Sequence, residues 1–343
     1  MQLVKISQGG SGGGGGGVTQ ICAGANICIS PPSGTGIVTV CATSGGSGIM
    51  IVGAGCDSTI RCGVNNAATA ACSAALSGSC NVASCCNAVV AGGFCNLASG
   101  EYSYVGGGYQ NTASANYGSV VSGGYQNCAT NLAATVSGGY RNIASGNSST
   151  VSGGYCNSAS GTYSTISGGD TNCAACLHSF VGNGDCNISC GDFAAVLNGS
   201  RNCAIGRSAV VIGGCGSRAI GDCSLVFGTG MVNCGIGSVV LGNCCNCIAT
   251  GGNNATILGG FNNSAVVNSV VGGGFCNNAA GNSAVIGGGN NNAAGERAGV
   301  LSGVCNVAST QYSFIGGGLN NCAVSSTGSV NRCSTIGGGD GNV

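Results

Sequence analysis

The sequence predicts an all-β chain, most of it a parallel β-solenoid (a β-roll) of about 19 short coils of about 15 residues each. Three observations carry this reading. A β-branched residue recurs just before a glycine-rich pair from Ile60 to Ile336, with steps of 14 to 17 residues until one longer final step. Asparagine stands six residues after nearly every such anchor, as at Asn142, Asn157 and Asn172. A small residue, usually alanine, follows two residues later, as at Ala144, Ala159 and Ala174. A period this short excludes the helical repeats, which need more than about 30 residues, and fits one coil with two short strands.

Composition narrows the function classes. Of 343 residues, 71 are glycine and only 2 proline, which excludes a collagen pattern. Charged residues make up 5 % and the formal net charge is zero, so no basic face for nucleic acid is available. Valine and isoleucine are spread evenly, unlike a disordered chain. No apolar run reaches the roughly 18 residues of a membrane-spanning helix. The first residues, "MQLVKISQGGSGGGGGG", carry no apolar signal-peptide core, so a standard secretion signal is not expected.

Taken in order, residues 1–17 read as a glycine-rich arm or linker. Residues 18–59 read as a small β-module: "VTQICAGANICIS" and "GIVTVCAT" flank a "PPSGTG" turn, the pattern of a hairpin suited to attachment or capping. Residues 60–343 are the cysteine-rich repeat. The stretch "TVSGGYRNIASGNSSTVSGGYCNSASGTYSTISGG" (135–169) shows its grammar. Thr-Val gives a strand with valine inside. Gly-Gly then permits a turn at positive φ. Asparagine is expected at a second, left-handed turn, hydrogen-bonded to its own backbone. The strand around Asn-x-Ala-Ser follows, its alanine small because the coil is narrow. Rungs about 4.8 Å apart give a rod on the order of 90 Å. "VSSTGSVNRC" (324–333) reads as an insertion before the last coil, which ends without a polar cap. One valine and one or two alanines per coil make a thin core, so oligomerisation or covalent staples are expected to supplement it.

The 27 cysteines fall into columns along the repeat. Cys80 and Cys95 share the position five after their anchors on adjacent rungs. A rung step lies inside the Cα span of a disulfide, about 4.4–6.8 Å, so this pair is placed to bridge. The others are open to pairing across corners, pairing between chains, or packing as thiols. Their odd number implies a free thiol or an interchain bond. "CAAC" (Cys173, Cys176) with His178, and "CCNC" (Cys244, Cys245, Cys247), are the places to consider for a metal; each lacks the second ligand pair of a zinc site, and neither metal nor cofactor is expected. Cytoplasmic assembly followed by oxidation on release reconciles many cysteines with no secretion signal.

No enzyme is expected. Asp170 and Asp185 fall one rung apart, and Asp192 and Asp222 two rungs apart on another face, as exposed turn residues would. The single histidine forms no grouping with serine and aspartate. Thr135, Thr150 and Thr165 stack just before their anchors, too few for a regular ice-binding array, and their column continues as Phe180, Ala195, Val210 and Leu225. That apolar stripe predicts an interface, with Phe180, Val210 and Leu225 facing the axis of a homotrimer. Tyr109, Tyr125, Tyr140 and Tyr155 form another column, which suits rung-to-rung stacking or a surface strip for a glycan or receptor.

The run "STVSGG" (149–154) with its following Asn-x-Ala-Ser resembles the left-handed β-roll repeats of YadA-like heads of trimeric adhesins, over residues 60–343. "VTQICAGANICISPPSGTGIVTV" resembles segments of bacteriophage and large-virus tail-fibre proteins, which carry similar repeats. The resemblance implies three parallel chains around one axis and a role in adhesion. Bacterial adhesins of this type add a signal peptide, a stalk and a membrane barrel and rarely carry cysteine, so the viral or phage-like fibre is the nearer expectation. The function expected is a structural fibre mediating attachment, extracellular or on a virion surface. Its partners would be copies of itself and a cell-surface glycan or receptor, with no nucleic acid and no membrane insertion. The alternative is a subunit of an extracellular filament joined end to end.

Overall fold

The computed structural model describes residues 27–30, 39–42, 50–52, 59–61, 64–324 and 333–343. The arm read over 1–17 and most of the insertion at 324–333 lie outside the described residues. The chain divides into two compact units, Met1–Ala133 and Ala134–Val343.

In the first unit, Ile27–Ser30 pairs antiparallel with Thr39–Ala42, Ile27 opposite Ala42 and Ser30 opposite Thr39. Met50–Val52 pairs antiparallel with Thr59–Arg61. From Thr59–Arg61 the pairing turns parallel and climbs through Ala74–Ala75, Val89–Val90 and Tyr104–Val105 to Val120–Val121. A second parallel ladder runs from Ala67–Ala68 to Cys128–Ala129. The division read at 59/60 therefore falls inside the strand that opens the first ladder.

The second unit repeats this architecture. One ladder rises from Thr135–Val136 to Thr335–Ile336, the other from Ile143–Ala144 to Cys322–Ala323. Both are parallel and in register, so Val151 follows Val136 and Ala174 follows Ala159. Isolated parallel bridges such as Tyr155↔Asp170 add a third line of contact between coils. The parallel β-solenoid predicted from the period is the fold of both units.

Most strands of the coils are only two residues long because a corner interrupts the chain every few positions. Alternation still holds: Thr150 is half-exposed and Val151 buried, Ser158 half-exposed and Ala159 buried. The interior is four columns wide: the β-branched anchors, the alanines, a serine or alanine two before each anchor, and the asparagines.

The asparagines correct the sequence reading. They do not occupy the left-handed corner; the residue just before each one does, as at Cys156 (φ 52), Thr171 (φ 54) and Arg201 (φ 55). Asparagine instead points inward and is buried. Asn157 Nδ2 donates to Gly153 O at 3.0 Å within its own turn and to Gly169 O at 2.9 Å one rung on. Its Oδ1 accepts from the backbone N–H of Asn172 at 2.9 Å, and its own N–H donates to Asn142 Oδ1 at 3.0 Å. The column is a hydrogen-bonded spine, and its polar groups are buried at no net loss because each finds a partner.

The spine breaks once among the described residues. Ser217 replaces asparagine, its N–H donating to Asn202 Oδ1 at 3.0 Å and its Oγ to Gly228 O at 2.6 Å. On the next rung Met231 is buried, and Asn233 moves to the alanine column, where its amide donates to Ser238 O at 3.0 Å. The spine resumes at Asn246, whose Oδ1 accepts from the N–H of Asn263 at 2.9 Å.

Candidate functional site

In the second unit the outer face of the valine ladder turns apolar beyond Thr165 and Ser167. Phe180, Val210 and Leu225, expected on an interface, lie in one column, linked through Ala195 and continued by Val239. All three are half-exposed. The sequence reading missed a second column one residue beyond the anchors. Leu197, Ile212, Phe227 and Leu258 stand there at 37–54 % exposure. Residues either side of a buried anchor share the opposite strand face, so the two columns form one surface. Farther along the ladder Gly299 stands between Val285 and Phe314, and its missing side chain opens a notch of about 380 Å³ lined also by Leu301 and Tyr312. A contiguous exposed apolar face of this kind is the usual mark of a contact surface.

The tyrosine column stacks. In the first unit the rings of Phe94, Tyr109 and Tyr125 lie 5.3 and 4.8 Å apart, nearly parallel. In the second unit Tyr140 and Tyr155 stack at 4.9 Å. Ring faces inside a stack are covered by the neighbouring rung, so Tyr109 offers solvent its edge and hydroxyl. Sugar recognition by stacking needs an open ring face, which only the ends of such a column provide. Tyr109→Ala removes the central ring of its stack and is expected to cost about 1–3 kcal/mol in aromatic contact and buried area; a denaturant melt followed by tyrosine fluorescence checks it.

Two of the acidic residues are used by the backbone. Asp192 accepts from the N–H of Leu177 at 3.2 Å and Asp222 from that of Arg207 at 2.8 Å, each tying its turn to the rung before. Asp170 and Asp185 are cross-rung partners, as their register anticipates; Asp170 accepts from Thr171 Oγ1 at 2.6 Å. His178 is stacked between Tyr163 (4.8 Å) and Phe193 (5.1 Å).

The thiols divide by environment. Cys173, Cys190 and Cys203 occupy three successive rungs on the outer face of the alanine ladder in the second unit, and Cys176 Sγ donates to Cys190 O at 2.6 Å. Burial, and then the charge and hydrogen bond of Cys190, push the Cys203 thiol up to about 11. Cys244 and Cys245 are joined as a vicinal disulfide. Among the described residues no three His, Cys, Asp or Glu side chains are grouped to hold a metal ion. In the first unit Cys80 and Cys95 lie half-exposed at equivalent corners of adjacent rungs.

No helix among the described residues is long and apolar enough to cross a membrane. No curated protein matches the chain in a sequence comparison. A protein-family model does match, described as the ubiquitous surface protein adhesin repeat, over residues 134–146. These residues run from the anchor strand Thr135–Val136 through the Gly-Gly corner and the spine asparagine Asn142 to the strand Ile143–Ala144. The match covers this one coil, and together with the parallel β-solenoid around it fits a likeness to YadA-like repeats.

Proposed function

We propose that the protein is a structural, adhesin-like fibre component displayed at a surface or outside the cell, and that it acts by presenting a rigid repeat rather than by catalysis. The observation that carries this reading is the adhesin repeat at residues 134–146, set in a solenoid whose outer valine-ladder face is apolar from Phe180 to Leu258. The placement of Asp192 and Asp222 as backbone acceptors supports a structural use of the few acidic groups. In this reading the apolar face joins copies of the chain into a homotrimer, and the fibre is of the viral or phage-like kind that mediates attachment.

Self-association is tested directly. Light scattering with size-exclusion chromatography, and electron microscopy without reductant, are expected to show discrete trimers of the full chain. The double variant Val210→Glu, Leu225→Glu places two carboxylates on the face and is expected to yield monomers with unchanged β-sheet circular dichroism. Each buried leucine- or valine-sized side chain contributes about 1.5–3 kcal/mol, and an unpaired buried charge costs more. A wild-type monomer at micromolar concentration would remove the trimer. Indefinite filaments would replace it with end-to-end assembly.

A further inference from the structure

We propose that Cys80 and Cys95 form a thiol–disulfide exchange site at one corner of the first unit, where Cys80 attacks a small aliphatic disulfide of the glutathione-disulfide type and Cys95 resolves the mixed disulfide. The corner geometry aligns the two sulfurs. Cys80 N–H donates to Val64 O at 2.8 Å and Cys95 N–H to Ser79 O at 3.0 Å, so the two residues occupy the same position one rung apart. Their φ angles are 57° and 54°, which gives the two corners the same left-handed backbone. The two thiols lie close enough to influence one another's ionisation. A rung step of about 4.8 Å then permits the bond without moving the backbone.

The pair is asymmetric. Cys80 Sγ lies 4.0 Å from the donor Asn65 Nδ2 and 3.6 Å from Ser79 Oγ, a hydroxyl that donates to Val64 O at 3.0 Å and can turn to a developing thiolate. Hydrogen bonds from Ser79 first, then from Asn65 and Cys95, hold the Cys80 thiol below its ordinary value against the opposing effect of burial. Burial, and then the charge on Cys80, hold Cys95 above it. As pH rises Cys80 therefore ionises first, and the thiolate is the nucleophile. No other described corner offers this pairing: Cys156 lies between Arg141 and Thr171, and Cys276 between Asn262 and Asn291.

The chemistry balances. Cys80 thiolate attacks one sulfur of the disulfide; a Cys80–S bond forms, the S–S bond breaks, and one thiolate leaves and takes a proton. Cys95, losing its proton to solvent, attacks the Cys80 sulfur and releases the second thiol. The chain loses two electrons, the small disulfide gains two, and the Cys80–Cys95 bond staples two rungs.

The test uses the fully reduced full-length chain, oxidised glutathione, an acid quench and peptide mass spectrometry. Wild type is expected to give a linked Cys80–Cys95 peptide. Cys95→Ser is expected to accumulate glutathione on Cys80. Cys80→Ser is expected to load Cys95 more slowly than Cys95→Ser loads Cys80, because burial still holds the Cys95 thiol up. Serine is compatible with a left-handed backbone in this solenoid, since Ser148, Ser208 and Ser283 hold φ of 52°, 54° and 57° at the coil's other corner. Ser79→Ala is expected to shift the pH profile of Cys80 loading upward while the pair still links. Cys203, with its raised thiol, serves as the slow reference within the same chain. Equal loading of Cys80 and Cys95 in the single variants, or no linked peptide in wild type, would overturn the proposal.

Discussion

Asn157→Ala is expected to destabilise the second unit by about 2–6 kcal/mol, because two groups lose their partner at about 1–3 kcal/mol each. The groups are Gly153 O and the buried N–H of Asn172, whereas Gly169 O keeps the N–H of Tyr155 at 2.9 Å. The loss is local before it is global, since each coil of a solenoid is stabilised chiefly by its neighbours. Hydrogen exchange at the Asn172 amide is the sensitive readout; protection there is expected to fall before that of distant rungs. Asn157→Asp adds a pH signature. The carboxylate keeps the acceptor for Asn172 N–H but faces two carbonyl oxygens it cannot donate to when ionised. Burial and those carbonyls raise its folded pKa above the unfolded value near 3.9. Stability is then greatest below that unfolded value, where the acid is neutral in both states, and is lost as pH rises through the raised folded pKa. The variant is expected to melt near the wild type at pH 4 and well below it at pH 7. Equal deficits at both pH values would mean that the spine tolerates a buried charge.

This spine marks the boundary of what the sequence made legible. Periodicity placed Val151, Ala159 and Asn157 in their columns and predicted that the first two point inward. It could not say on which side of the backbone the asparagine lies, because a turn and a polar core column have the same period. One signal was present: turns accept aspartate, glycine or serine in place of asparagine, yet this column keeps asparagine almost without exception from Asn66 to Asn342. Only a position that needs a donor and an acceptor at once is so restrictive. The corner residues misled for the opposite reason. Cysteine, threonine and arginine are poor left-handed residues by propensity, at a cost of about 1–2 kcal/mol. The ladder overrides this: the N–H of Cys156 reaches Tyr140 O at 2.8 Å and that of Thr171 reaches Tyr155 O at 2.8 Å. On the apolar face, the column holding Phe180, Val210 and Leu225 could be read because its residues change from threonine to apolar in mid-chain. Its companion column begins as Ser137, Ser152 and Ser167, and that turn-like start hides Leu197, Ile212 and Phe227.

The paired glycines yield the sharpest contrast within one corner. Gly154→Ala is expected to destabilise the second unit by more than about 4 kcal/mol, whereas Gly153→Ala is expected to change it by less than about 1 kcal/mol in either direction. Sequence alone treats the two as one flexible turn. In the structure only Gly154 is required: its φ is +94°, where a β-carbon is strained. That β-carbon would also run into Gly169 O of the next rung and approach the amide of Asn157 at 2.5 Å. The clash therefore falls on the carbonyl and the side-chain nitrogen that hold the spine together, and relief at one rung moves the acceptor needed by the other. Gly153 has ordinary backbone geometry and nothing within 4 Å of an added β-carbon. There the smaller conformational freedom of alanine in the unfolded chain offsets whatever the folded corner loses, by about 0.4–1 kcal/mol. Urea melts of the two single variants, with hydrogen exchange along residues 150–175, separate these effects. Similar losses at both positions would mean that the pair is needed for flexibility during coil closure. A loss confined to Gly154 ties the glycine column to the asparagine spine and explains why the two recur together at a fixed spacing.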